Sequence, residues 1–477
     1  MVRLVGLRVS MVDLFFDESQ YWSWSRELAL GYFSKPPLLA WLIAAAEHLC
    51  GPSEACIRSP APLMGLATSL FAYATGRAFY DGRTGFWAAM LTALGTGAVF
   101  SARIVSTDVP LVLFCALALF AYGRSLQNAD WRWALVLGLA IGAGLLAKYA
   151  MVYFLPGLVL AAAFEKRARA LLARPDLWLA LGLAAIVVSP NILWNAANGF
   201  VAFRHAGGNV TGEPIEPSVL RPLEFLVAQF AVFGPVVFGV AIAAVIALAT
   251  SRGSSRLLPA DRILLAFALP PLAVVTVTAS VVHVYANWAA ASFIPLAVLA
   301  AAILVRRNLS ILLWGSLALG LAVQIVLIGA DAFAVSIRVP FLAKPSPYYR
   351  TLGWNAYGRT VGQLARKLGI SAIASDTRAE VASLLYYWRD QPEQILAWPT
   401  TDDLPGFDVT RGLTVAAPQP VLFVSQCQDA GRLEKFYAKV SPLGIFVPDD
   451  PVPRGFAAFT LEEPRGAIEP LAPCPTE

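Results

Sequence analysis

Six stretches of this 477-residue chain contain no Asp, Glu, Lys or Arg over lengths that suit a lipid core better than a water-soluble one: residues 59–76, 84–102, 177–203, 225–251, 263–305 and 308–330. A helix needs about 20 residues to cross a hydrocarbon core of ~30 Å. The run 263–305 is too long for one crossing and is expected to break around residues 283–287, giving two spans. Shorter apolar runs at 109–123, 133–147 and 149–164 bring the total after residue 58 to ten. The apolar N-terminus, residues 1–16, carries Arg3, Arg8 and Asp13 and no small-residue cleavage site. It reads as the tail of a first span cut short by a start codon placed too late, for about 11 spans in all. Prolines 156, 190, 235, 270 and 271 predict kinks that a helical bundle tolerates.

Composition agrees with a polytopic α-helical membrane protein. Hydrophobic residues make up 58% of the chain and charged residues 14%, against about 25% charged in soluble domains. A soluble enzyme, a disordered chain and a disulfide-rich secreted module are excluded on that ground. The net charge of +5 sits mostly in short segments between apolar runs, which points to membrane orientation rather than to nucleic acid. Loops on one side hold thirteen Lys or Arg, among them Arg77, Arg124, Lys166, Arg174, Arg262 and Arg306. The opposite side, outside residues 17–58, has only Arg103, Lys148, Arg204 and Arg221. The positive-inside rule therefore puts residues 17–58, and everything after about 331, on the outer side. Residues 1–330 form the expected membrane domain. Residues 331–477 are polar and rich in turns, and read as a small α/β domain, with strands at 371–374 and 421–424 and helices at 378–388 and 430–440.

The densest chemistry lies at residues 17–37, DESQYWSWSRELALGYFSKPP. An interfacial aromatic belt accounts for Tyr21, Trp22, Trp24, Tyr32 and Phe33 without any catalysis. Three features go further. Asp17 and Glu18 are adjacent at the edge of an apolar segment, where desolvation is costly. Lys35 precedes a Pro-Pro pair, so its backbone is extended and stiff. Asp108 marks the outward start of another span at similar depth, with a helix N-cap after Thr107 as the less favoured alternative.

The segments FFDESQYWSWS…GYFSKPPLLAW, Thr107–Asp108, AKYA around Lys148, SPNILWNAANGF at 189–200 and YANW at 285–288 resemble the GT-C glycosyltransferases. Within them the similarity is to the bacterial dolichyl-phosphate-mannose protein mannosyltransferase-like group, which includes the aminoarabinose transferases of lipid A. The resemblance runs over most of residues 15–330. It implies a GT-C bundle with an outer active-site cavity, and transfer of a sugar from a polyprenyl-phosphate donor to a hydroxyl acceptor on a lipid, glycan or protein at the outer face of a bacterial inner membrane. No nucleic acid is implied. By the resemblance Asp17 is the base and Lys35 holds the donor phosphate. A polyprenyl phosphate is a good leaving group, so positive charge and a base are what the reaction needs. Neighbouring residues on a helix diverge by ~100°, which leaves Glu18 as a second, supporting acid beside the catalytic Asp17. Asp108 is expected to orient Lys35, an arginine or the acceptor. Arg103, Lys148, Arg204 and His205 are candidates for phosphate or sugar contact, and Tyr21 for the acceptor path. Snorkelling suits Arg204 equally well, and Lys148 equally ends a helix.

Two departures concern the substrate. The aminoarabinose transferases have a metal-binding acid before the KPP lysine, where this chain has Ser34, so no such zinc site and no cofactor are expected. Gln20 stands where they have an arginine. A hexose or uronic acid donor stays open. Cys50 with Cys56, and Cys427 with Cys474, suit two disulfides in an oxidising compartment, with unpaired apolar cysteines the alternative. A secondary transporter or lipid flippase is the competing class, but it calls for charges near the bilayer midplane and a repeat between halves. A catalytically inactive relative is the third reading.

Overall fold

The computed structural model describes residues 1–211, 216–250, 257–339, 346–399 and 406–471. Among the described residues, five helices are long and apolar enough to cross a membrane: Asp108–Gln127, Pro175–Ala197, Pro259–Ala279, Ala286–Arg306 and Ser310–Ala332. Around them pack Pro60–Phe79, Trp131–Ala147, Tyr149–Phe164 and Pro235–Ala249. Their crossings use small residues. Gly138 and Gly142 lie four apart on the Trp131–Ala147 helix, and a methyl group on either would run into Ala180 or Val187 of the Pro175–Ala197 helix. This is the close backbone approach by which lipid-embedded helices gain packing energy without a hydrophobic driving force.

Two expected spans are interrupted. The run 225–251 is split into Leu220–Val232 and Pro235–Ala249 by Gly234 at φ +87°, a conformation that glycine adopts without strain. Pro235 therefore starts a helix rather than kinking one. The run 84–102 divides at Leu94–Gly95 into Gly82–Ala93 and Thr96–Ser101, with Gly95 pressed against the Phe293 ring. The long run 263–305 does break near residue 283. One helix ends at Ala279, a 3₁₀ turn covers Ala286–Ser292, and Phe293–Arg306 continues.

Beyond Ala332 the chain builds a five-stranded mixed sheet of order β2-β1-β3-β5-β4, with β1 Ala372–Ser375, β2 Gln394–Ala397, β3 Val421–Ser425, β4 Tyr437–Phe446 and β5 Phe456–Pro464. The first three pair in parallel and the last two add antiparallel. Helices Trp354–Leu368 and Arg378–Tyr387 cover one face through Tyr357, Val361, Val381 and Leu384, set against Ile373, Leu422 and Phe456. The helix expected at 430–440 is instead a 3₁₀ turn, Ala430–Arg432, followed by β4. Ala430, Leu433, Tyr437 and Val440 have helical spacing, but pairing with β5 overrides it, since strand formation answers to tertiary context more than to local pattern.

The Arg378–Tyr387 helix docks on the Phe16–Ser25 helix. Tyr387 accepts a hydrogen bond from the Leu14 amide and donates to Glu54, both at 2.7 Å. Tyr386 donates to the Pro52 carbonyl at 2.8 Å, and its ring meets Trp22 edge-on. A Cys50–Cys56 disulfide joins Leu38–Cys50 to the short helix Glu54–Arg58. Cys474 lies outside the described residues.

Candidate active site

The Phe16–Ser25 helix sends its first two acids to different places. Glu18 is 2% exposed and bonds Arg58 at both oxygens, 2.9 Å from Nε and 2.6 Å from Nη2. The amides of Val105 and Phe15 donate to it at 2.9 and 3.0 Å. Arg58 also donates to the carbonyls of Val12 and Asp13. This closed pair ties the N-terminal segment, the Glu54–Arg58 helix and the 103–107 turn together, and it leaves Glu18 no oxygen facing an open space. Asp17, half-buried, turns the other way and forms an ion pair with Arg378 at the start of the Arg378–Tyr387 helix. Arg378 Nε donates to Gln20 Oε1 at 2.7 Å, and its guanidinium lies over the Phe16 ring, 5.3 Å from the centroid.

Lys35 is carried on a braced loop. Tyr32 stacks on Trp24 at 4.7 Å and donates to the Trp24 carbonyl at 2.9 Å, while the Tyr32 amide donates to the Lys35 carbonyl. Gly31 sits against Trp194 and Asn191, where a methyl group would collide with both. Asn191 donates to the Leu30 carbonyl at 2.8 Å, and with Asn195 it also binds the Tyr149 hydroxyl. The asparagines of SPNILWNAANGF thus connect the loop to the tyrosine of AKYA. Among the described residues, the Lys35 ammonium makes no hydrogen bond or ion pair. Burial lowers its pKa to about 8, with the nearby Lys148 charge adding to the effect and Asp17 opposing it.

Asp108 does not cap its helix. One oxygen binds Lys148 Nζ at 2.6 Å and the other accepts from Asn287 at 2.7 Å, so Thr107–Asp108, AKYA and YANW meet at one carboxylate. Tyr21 is buried close to these charges; burial, then Asp17, raises its pKa well above the ordinary phenol value. His205 is half-buried with Nδ1 unsatisfied. Burial first, then the charges of Lys35 and Arg378, push it down to about 4, so it is neutral at pH 7.

Asp17, Tyr21, Lys35, Asp108, Lys148 and His205 therefore share one cluster. Arg204 is exposed near Gly199, and among the described residues its guanidinium has no hydrogen-bond partner. Two expected site residues are diverted. Glu18 is occupied by Arg58. Arg103 pairs with Asp331 through Nε at 2.6 Å, and Tyr348 donates to the same carboxylate at 2.8 Å, which binds Arg103 to the end of the Ser310–Ala332 helix. Sequence reasoning missed Arg378, Asn287 and Arg58. Asn287 lies inside a quoted motif, but nothing local distinguishes Arg378 from any arginine in a helical first turn.

The arrangement offers an acid that can take a proton, a nearby cation unpaired among the described residues, and a second acid locked to a lysine and an amide. Residues 34–194 match the family model described as dolichyl-phosphate-mannose-protein mannosyltransferase. The chain is 33% identical over 402 residues to the lipid A galacturonosyltransferase RgtD of Rhizobium johnstonii, covering 83% of this chain and 82% of that protein. The fold is similar to that of ArnT from Cupriavidus metallidurans in the apo state, with TM-score 0.70, 16% identity, and coverage of 96% of this chain and 95% of that one. The same protein bound to undecaprenyl phosphate matches with TM-score 0.69 at 17% identity, over 96% of each chain.

Proposed function

Since the chain belongs to the GT-C glycosyltransferases of the mannosyltransferase and ArnT-like group, we propose that it transfers a uronic acid sugar from a polyprenyl phosphate to a hydroxyl of a lipid A or core glycan. The site would face the outer side of the inner membrane. Support for the sugar and the acceptor comes from the galacturonosyltransferase named above. Support for the donor comes from the undecaprenyl phosphate bound to the structural relative and, in this chain, from Lys35. That lysine is a half-buried ammonium without a counter-ion among the described residues, and it is the observation that carries the reading.

In this mechanism Lys35 pairs with the donor phosphate and holds the negative charge that grows on it as the bond from the anomeric carbon to the phosphate oxygen breaks. Asp17 accepts the proton of the acceptor hydroxyl as its oxygen bonds to the anomeric carbon. Lys148, fixed by Asp108, which Asn287 holds at its other oxygen, adds positive field on the phosphate side. Tyr21 and neutral His205 line the acceptor and sugar pocket. Glu18 and Arg103 act as struts. The outward orientation rests on charge. The Asp108–Gln127 helix carries the site at its start and Arg124 in its last turn, about 24 Å away at 1.5 Å per residue, on the side rich in basic loops. The cluster at one membrane face suits group transfer between lipids better than a transport path, whose charges would lie near the midplane.

Membrane vesicles supplied with radiolabelled undecaprenyl-phosphate galacturonic acid and a lipid A acceptor test this reading. Asp17→Asn and Lys35→Ala are each expected to lower transfer by at least ~100-fold, the scale of losing a general base or a phosphate clamp. Transfer surviving both substitutions would remove the assignment.

A further inference from the structure

In the open cluster, Asp108 is satisfied by Lys148 and Asn287, and Asp17 by Arg378. Among the described residues, Lys35 is the ammonium of this cluster left over. A donor with a neutral sugar brings one negative charge, on the phosphate, and Lys35 answers it. A uronyl donor, the class on which this inference rests, brings a second anion at the sugar's carboxylate. Buried or half-buried anions need a paired cation, so the site must supply another. Releasing Lys148 would leave Asp108 with a single amide partner. Releasing Arg378 strands nothing, because its partner Asp17 has to be freed before it can meet an acceptor hydroxyl.

We propose that Arg378 is the specificity-determining residue for an acidic donor sugar: its guanidinium leaves Asp17 for the sugar carboxylate, and that exchange frees Asp17 to act as base. The guanidinium is built for it. Gln20 Oε1 holds Nε at 2.7 Å and the Phe16 ring backs the guanidinium plane, so its orientation does not depend on Asp17. The remaining N–H donors form a fork that matches a carboxylate bidentately, which a lysine ammonium cannot reproduce. Its backbone is equally fixed, because the helix that begins at Arg378 is pinned to the N-terminal segment through Tyr386 and Tyr387. A neutral hexosyl donor offers Arg378 nothing to exchange for, and so leaves the base paired. The outer domain thereby reads the sugar, while Lys35 reads the phosphate.

The test uses the full-length protein in lipid nanodiscs. Affinities are measured for undecaprenyl phosphate, undecaprenyl-phosphate galacturonic acid and undecaprenyl-phosphate galactose, with wild type, Arg378→Gln and Arg378→Lys. Wild type is expected to bind the galacturonyl donor more tightly than the galactosyl donor by about 10- to 100-fold, the range of a charged hydrogen-bonded contact. Arg378→Gln is expected to erase that difference while leaving undecaprenyl phosphate within twofold, which also shows that the variant is folded. Arg378→Lys should recover only part of it. Equal loss for bare undecaprenyl phosphate and for the galacturonyl donor would make Arg378 a phosphate ligand or a strut and overturn the proposal, as would discrimination that survives in Arg378→Gln. A wild type that binds the galactosyl donor as tightly as the galacturonyl donor would sink the uronic acid reading itself, and that outcome is visible without any variant.

Discussion

Asp17 and Glu18 are neighbours in sequence and opposites in environment, so substituting each should have a distinct signature. Glu18→Gln leaves Arg58 buried without its counter-charge, a loss on the order of 3–5 kcal/mol, and is expected to lower the melting temperature in detergent along with the folded yield. Asp17→Asn should melt near the wild-type temperature and fail only in transfer. A reversed result, with stability lost at Asp17 and spared at Glu18, would contradict the geometry. Lys35 supplies a pH signature. Its pKa is lowered to about 8 by burial, and only the protonated form attracts phosphate. Affinity for undecaprenyl phosphate should therefore hold steady below about pH 7 and fall as pH rises through 8, while Lys35→Arg should flatten that limb because arginine stays charged. Binding measured from pH 6 to 9.5 decides it. At this scale much of the cluster was legible, because Asp17, Lys35 and Asp108 are ionisable residues at span edges where charge is costly. Arg378 was not legible. It lies 361 positions from Asp17 in a domain without a motif, and only the fold brings the two together.

The helices show why charge-free runs predict spans better than they predict continuity. Runs of apolar residues report burial in lipid, but the break at Gly234–Pro235 depends on backbone dihedral freedom, which hydropathy does not register. The strand at Tyr437–Phe446 escaped notice for the complementary reason, since its partner β5 lies beyond it in sequence. Two substitutions test how elements set the site. Gly138→Leu would push the Pro175–Ala197 helix away from Trp131–Ala147, and is expected to reduce the monodisperse folded fraction on size exclusion. Asn191→Ala keeps that crossing but removes the support of the Leu30 carbonyl and of Tyr149. It should leave folded protein near wild-type amounts and lower transfer about tenfold, the scale of one misplaced positioning contact. Normal transfer by Asn191→Ala would show that the loop holds its shape without the asparagine.

At the scale of the whole molecule, the membrane bundle and the small C-terminal α/β domain follow from composition. Their mutual docking does not, because it rests on tyrosine hydroxyls that read as ordinary helix-face aromatics. Tyr387→Phe removes the bond to the Leu14 amide and the bond to Glu54 together. Hydrogen exchange should then quicken by about tenfold in both 13–25 and 378–387, about 1–1.5 kcal/mol for a buried hydrogen-bond pair, while the core of the bundle stays protected. Faster exchange confined to one side of the contact would mean that the two helices do not hold each other. The contact also has a temporal side. Residues 13–25 leave the ribosome ahead of the long apolar helices and residues 378–387 only after the last of them described, so the 17–37 loop waits through the synthesis of the bundle for the surface that completes it. A chain cut short by an early stop or a stalled ribosome would insert its helices yet never present Arg378 to Asp17, and so would lack the guanidinium proposed to read the sugar carboxylate.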